Sequence, residues 1–299
     1  MRLKLPLLIA GLLGLAWGWV PPVSAAPPDG YHLVFQDEFD QPGLDTTKWN
    51  TTMAFLGRQG ARYHNVSYLH YVLDDDVILS DGILRLRADR RAVDGIDPPG
   101  KFNYSAGLIT SHDKFAFKYG FIEVRAKYPR GSGVWPAIWL IGQGEYWPPE
   151  FDIAEYYGGA GLMHFGLCHG TLKNVEWDST GDKETHADEG WHTFALDWRP
   201  GRAVWLEDGV PKKVVDAEYV PDIPMYIILS NGVGSRFGPS GIPTEATVFP
   251  NYFEIDYVRV YQPGLDPMIV ERKERPKEPA LKIPPILANA PVPASPPPP

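Results

Sequence analysis

Cysteine is all but missing from this chain. Cys168 stands alone, which excludes an internal disulfide framework; a single thiol of this kind is read as a small buried apolar group with no catalytic part. Positive charge is also short. There are 28 Lys and Arg against 37 Asp and Glu, a formal net charge of −9, which argues against nucleic acid or an anionic membrane as partner. No long segment has helical periodicity, and neither internal repeats nor heptads occur, so bundles, solenoids and coiled coils are set aside. What the chain does have is ten tryptophans. An acidic, tryptophan-rich protein suits a neutral ligand with apolar faces better than an anionic one.

The two ends differ from the body. Residues 1–25 read as a secretory signal peptide, with Arg2 and Lys4 as the basic start, Leu7 to Trp19 as the apolar run and Val23-Ser24-Ala25 as a small-residue cleavage site. A membrane anchor is the competing reading, but the run is short for a span and Pro21-Pro22 follows it. Cleavage would remove Arg2 and Lys4, take the charge to −11, leave no membrane association and deliver the protein to the periplasm or the medium. From residue 263 to 299 the composition shifts to a charged stretch, Glu271-Arg272-Lys273-Glu274-Arg275, and then to a proline-rich stretch ending in Pro296-Pro297-Pro298-Pro299. Proline neither continues a helix nor donates to a sheet, so this is expected to be a disordered tail. The remainder, 27–262, is long enough for one domain with a large core, and a monomer is expected.

That body reads as strands. Ile122, Val124 and Ala126 alternate with Glu123, Arg125 and Lys127; Leu84, Leu86 and Ala88 alternate with Arg85 and Arg87 after an Asp81-Gly82 turn; Phe253, Ile255 and Tyr257 alternate with Glu254 and Asp256. Trp205 to Val210 reads as a hairpin turning at Asp208-Gly209. Pro224 to Asn231 is an apolar run suited to a strand covered on both faces. Many short strands with Gly, Pro and Asp between them predict an all-β antiparallel sandwich or barrel, whose cleft would lie across a sheet face or among loops.

One stretch stands out. Glu150-Phe151-Asp152-Ile153-Ala154-Glu155 sets three carboxylates in six residues. On a regular strand Glu150 and Asp152 share a face and Glu155 falls on the other. One extra residue, a β-bulge at Ile153-Ala154, would return Glu155 to the acidic face and leave the apolar residues for the core. Adjacent carboxylates repel and raise one another's pKa, so the row serves acid–base chemistry better than stability. Two carboxyl groups across a scissile bond are the minimum equipment for glycoside hydrolysis. The residues alone do not say which glutamate is the nucleophile.

This stretch matches E-x-D-x-x-E, and the chain resembles glycoside hydrolase family 16 in its bulged, laminarinase-like form. The likeness extends through Leu33-Val34-Phe35-Gln36-Asp37-Glu38-Phe39, Leu44 to Trp49, Gly133-Val134-Trp135-Pro136-Ala137-Ile138-Trp139-Leu140, Trp191 to Trp198 and Phe253 to Tyr261. The resemblance implies a β-jelly-roll sandwich of two antiparallel sheets with a concave substrate cleft. It implies a retaining endo-β-glycosidase that hydrolyses a β-glucan, 1,3- or mixed 1,3/1,4-linked, by double displacement. In that scheme Glu150 is the nucleophile, Asp152 its partner and Glu155 the acid and base. The alternatives are a depolymerase or transglycosylase of another polysaccharide, such as succinoglycan or a galactan, and a non-catalytic lectin.

The same resemblance assigns sugar contacts to Trp135, Trp139, Trp147, His169 and Asn231, core packing being the competing reading for the tryptophans, a buried satisfied histidine for His169 and a turn residue for Asn231. No organic cofactor is implied. One structural calcium is, at the backbones of Glu38 and Gly82 and the side chain of Asp256; calcium takes six to eight oxygens, so water would supply the rest. Tyr104-Ser105-Ala106-Gly107-Leu108-Ile109 departs from the related pattern, with Leu108 where arginine is usual.

Overall fold

The computed structural model describes residues 26–55, 58–61, 68–97, 99–144, 146–234 and 240–264. The expected signal peptide, 1–25, lies outside the described residues, as does all of the expected tail beyond Gly264. Among the described residues the architecture is a two-sheet β-sandwich, with one 3-10 turn at Asp74–Asp76 as its helical element.

The outer sheet has ten strands. Its path runs through Val210–Asp216, Arg202–Glu207, His192–Arg199, Gly120–Lys127, Asn251–Pro263, Ile83–Asp89, Tyr104–Ala106 and His70–Val72, with Tyr31–Asp37 added to Asn251–Pro263 and Val77–Ser80 to Ile83–Asp89. The inner sheet runs through Leu108–Thr110, Met225–Val233, Val134–Gly142, Tyr146–Tyr157, Leu162–Thr171 and Asn174–Asp182, with Ala116–Phe117 beside Met225–Val233. Pairing is antiparallel except between His70–Val72 and Tyr104–Ala106. This is the all-β antiparallel sandwich expected from the alternating strands, in the jelly-roll form that the family resemblance implied.

Local chemistry explains the pieces. The two predicted Asp-Gly turns close hairpins, with Asp81 and Gly82 at φ 57° and 71°, and Asp208 and Gly209 at 49° and 75°; these are the positive-φ pairs that match the twist of the flanking strands. Met225–Val233 is buried along its whole length, as an apolar run between other strands should be. In the opening segment Asp37 accepts from the Trp49 indole at 2.7 Å and from the Phe39 backbone at 3.0 Å, which locks the first strand to the segment after it.

The core lies between the sheets. Leu84, Leu86, Ile122, Val124, Phe253 and Ile255 of the outer sheet meet Ile138, Leu140, Phe151, Ile153, Phe165 and Leu167 of the inner one, all fully buried. A separate apolar cluster lies on the other, open face of the inner sheet: Leu108, Ala137, Trp139, Ile141, Tyr226 and Ile228, with Trp147 packed against it. Along Val134–Gly142 and Met225–Val233 the side chains therefore divide strictly by parity between core and open face.

Candidate active site

The strand Tyr146–Tyr157 runs through the middle of the inner sheet. Phe151, Ile153, Ala154 and Tyr156 all belong to the core cluster. Two consecutive residues, Ile153 and Ala154, face inward, and the register shows why. On one side Ala137 pairs with Glu155, Ile138 with Ala154 and Trp139 with Asp152, so Ile153 is the extra residue. On the other side Glu155 pairs with His164 and Asp152 with Gly166, three steps against two. This is a β-bulge at the position where the apolar pattern requires one, and it puts Glu150, Asp152 and Glu155 on the open face together.

The bulge is tied down from behind. The Trp205 indole donates to the Asp152 carbonyl at 2.9 Å, and the Tyr128 hydroxyl donates to the Ala154 carbonyl at 3.0 Å. Both donors come from the outer-sheet side of the core and are essentially fully buried. An irregular strand leaves backbone groups short of ladder partners, and buried ones must find others.

Each acid has its own surroundings. Glu155, 8% exposed, is held from three sides: the Trp135 indole donates to Oε1 at 2.8 Å, the Tyr157 hydroxyl donates to Oε2 at 2.9 Å, and His164 Nδ1 lies 2.9 Å from Oε2. Glu150 is partly exposed and accepts from the Trp147 indole at 2.5 Å. Its carboxyl is pushed up to about 7, by burial first and by the negative charge of Glu155, against the pull of the Trp147 bond. Asp152 is 1% exposed, and neither of its oxygens meets an N–H or O–H donor. Burial, then the charges of Glu155 and Glu150, push it well above the ordinary carboxylate range. Two carboxyl groups bond to each other only when one carries a proton, so close contact among these acids needs a shared proton.

Gly166 makes this packing fit. A Cβ on Gly166 would stand 2.4 Å from Asp152 Oδ2 and 2.6 Å from His164 Cε1. A bare backbone beside Asp152 is thus part of the site, and sequence reading passed over it.

The sequence-predicted contact residues divide. Trp135, Trp139 and Trp147 lie on the acids' side of the sheet. Trp135 and Trp147 donate to Glu155 and Glu150, while Trp139 is 6% exposed and bonds Ser230 at 3.2 Å, forming floor. Two assignments are corrected. Asn231 points between the sheets: it is fully buried and donates to the Leu86 carbonyl at 2.9 Å and to Asn251 at 3.1 Å. It falls on the odd, core-facing parity of its strand with Ile227 and Leu229. His169 has the parity of Phe165 and Leu167, also core-facing, and stacks on Tyr219 at 4.0 Å. The histidine of the site is His164, whose pairing with Glu155 became visible only once the hairpin register was known.

The expected calcium position offers a single carboxylate. Asp256 already accepts from Arg125 at 2.5 Å, and the Glu38 carboxylate closes on Arg259 at 2.8 Å through both oxygens. The Glu38 pairing leaves its backbone free to serve, and for Asp256 to bind a divalent ion the Arg125 guanidinium would have to share it, with backbone and water supplying the other oxygens.

Three acids on the open face of a jelly roll, one buried without a donor and one held by three partners, define a carboxylate-pair site of the glycosidase kind. A profile described as Glycosyl hydrolases family 16 matches residues 66–258. Relatives include glucan endo-1,3-beta-glucosidase A1 of Niallia circulans, 32% identical over 78% of this chain and 38% of that protein. Another is glucan endo-1,3-beta-glucosidase of Cryptopygus antarcticus, 33% identical over 76% of this chain and 90% of that one. The solved catalytic domain of an endo-1,3-beta-glucanase (laminarinase) from Thermotoga petrophila RKU-1 superposes with a TM-score of 0.67 at 30% identity, covering 78% of this chain and 98% of that one. The chain spans about half or less of several relatives' length, 38% to 52% for three of them. The protein belongs to glycosyl hydrolases family 16.

Proposed function

We propose that the protein is an exported, retaining endo-β-glycosidase that cleaves a β-glucan with 1,3 or mixed 1,3/1,4 linkages. The observation that carries this reading is the bulge that brings Glu150, Asp152 and Glu155 onto one face, beside relatives named as endo-1,3-beta-glucosidases. In the first step a Glu150 oxygen bonds to the anomeric carbon as the glycosidic C–O bond breaks, and Glu155 gives its proton to the departing oxygen. In the second, Glu155 takes a proton from water, the water oxygen bonds to the anomeric carbon, and Glu150 leaves as carboxylate. Asp152 stands beside Glu150, and a proton on it would donate toward Glu150 and steady the charge when Glu150 leaves. The Trp135, Tyr157 and His164 contacts fix the direction in which Glu155 points.

Hydrolysis of laminarin, lichenan and an acidic exopolysaccharide by wild type and Glu150→Ala tests this. Wild-type cleavage of at least one glucan, lost in the variant, is expected; identical behaviour on every β-linked polymer would end the enzyme reading. Retention is read separately by NMR, where the first-formed product should be the β-anomer and an early α-anomer refutes it.

A different polysaccharide is the second reading, and Leu108 favours it. The position where laminarinase-like sequences carry arginine is here an apolar residue, 1% exposed in the open-face cluster, so one charge that would bind substrate is missing. Calcium at Glu38, Gly82 and Asp256 enters the proposal only as a stabiliser. A chelator is expected to leave the rate unchanged, and an activity lost to chelation and restored by calcium would contradict that.

A further inference from the structure

The inner sheet ends on the strand Asn174–Asp182, two strands from the acids. Its even-numbered side chains turn toward the outer sheet, where Asp178 meets Lys213 and Asp182 meets Lys212 at 2.9 Å. Alternation therefore turns Trp177, Ser179 and Gly181 to the open face. Trp177 pairs with Cys168, and Cys168 pairs with Glu150. Directly paired residues project to the same side of a sheet, so the indole stands on the same row as Glu150, about 10 Å away across two strand spacings.

The ground between them is low. Cys168 is fully buried, and its immediate neighbours on that face of the strand are Gly166 and Gly170. Trp177 itself is 49% exposed, and its indole makes no hydrogen bond or ring contact among the described residues. The other tryptophans on this face are spent on the acids or on the floor; this one is left facing solvent. Trp is seldom left in water without a use for its flat apolar face.

We propose that Trp177 is a sugar-stacking platform, a distal subsite that grips the polysaccharide a sugar or two beyond the bond being cleaved. A ring with its C–H face turned to the sheet would pass over the low ground at Cys168 and lie on the indole. The subsite rests on the proposed glycosidase reading. It makes the protein prefer long chains to short ones, because only a chain long enough to span the row reaches Trp177.

The test compares wild type, Trp177→Ala and Trp177→Phe on β-linked oligosaccharides of increasing length and on the polymer that wild type cleaves. Trp177→Ala is expected to raise KM for the polymer about tenfold with kcat within about twofold, and Trp177→Phe to recover most of the loss. The penalty should appear only above a threshold length. Equal KM values at every length overturn the subsite and leave the glycosidase reading standing. If wild type hydrolyses nothing, gel electrophoresis through the same polysaccharides reads the platform by itself. Retardation of wild type that Trp177→Ala loses supports it, and equal mobility overturns it. Concentration-dependent sedimentation abolished by Trp177→Ala would instead make the residue a contact between copies and refute the proposal.

Discussion

The Tyr128 hydroxyl and the Ala154 carbonyl are 3.0 Å apart, a bond that crosses from one sheet to the bulge of the other. With the Trp205 bond to Asp152, it places the carbonyls on either side of Ile153 under the control of the core. Tyr128→Phe keeps the ring and removes only that donor. It should lower stability by about 1–2 kcal/mol in urea or thermal melts. It should also reduce kcat more than the folded fraction accounts for, because Glu155 is aimed from the residue after Ala154. A variant with wild-type kcat would show that the bulge holds its shape unaided.

Removing and adding a residue at the bulge test it in opposite directions. Without Ala154 the strand reads Glu150-Phe151-Asp152-Ile153-Glu155, and plain alternation keeps all three acids on the open face, so activity should be reduced but measurable. An alanine inserted after Ala154 turns Glu155 toward Phe165 and Ile138, so activity should fall to background and the melting temperature should drop as a charge enters the core. An insertion variant with wild-type activity and melting temperature would remove the geometric basis of the site.

Glu150 makes two pH predictions. Its carboxyl is raised to about 7, and attack needs the ionised form, so kcat/KM should fall as pH drops below about 7. Stability runs the other way. From about 4.5 to about 7 the folded state holds a proton that the unfolded chain has lost, so folding weakens as pH rises through that window. Glu150→Gln escapes this. It should melt close to wild type at pH 4 and be more stable at pH 8, by about 1–3 kcal/mol. An acid limb near pH 4, or a variant less stable than wild type at pH 8, would contradict the raised value.

Gly166→Ala probes the space that Asp152 occupies. The added methyl would meet Asp152 Oδ2 at 2.4 Å and His164 Cε1 at 2.6 Å, closer than atoms settle. Displacing a carboxyl by even about 1 Å is expected to lower kcat by roughly 10²-fold, with a smaller effect on KM. Wild-type kcat in Gly166→Ala would mean that Asp152 has freedom the packing does not show.

Much of this was legible in the sequence, for identifiable reasons. The bulge could be read because Phe151, Ile153, Ala154 and Tyr156 announce a core face with one residue too many. Trp135 and Trp139 could be placed on one side because four positions along a strand keep the face. Asn231 and His169 could not be placed, because parity along a strand carries no absolute sign until its neighbours are known. Read one way each faces sugar; in the fold Asn231 is buried between the sheets and His169 turns to that same side, stacked on Tyr219. His164 needed the length of the hairpin after Glu155, and Tyr128 and Trp205 needed the facing sheet, which no local pattern reveals. Trp177 looked like one tryptophan among ten until its row across the sheet led back to Glu150.

The bulge has a consequence for how such a protein can change. Among the described residues its carbonyls are fastened from the rear, by Tyr128 and Trp205. The support that spaces the acids and the face that meets a ligand thus lie on opposite sides of a single strand. The border can be rebuilt for another glycan, by mutation or by grafting, while the acids keep their spacing.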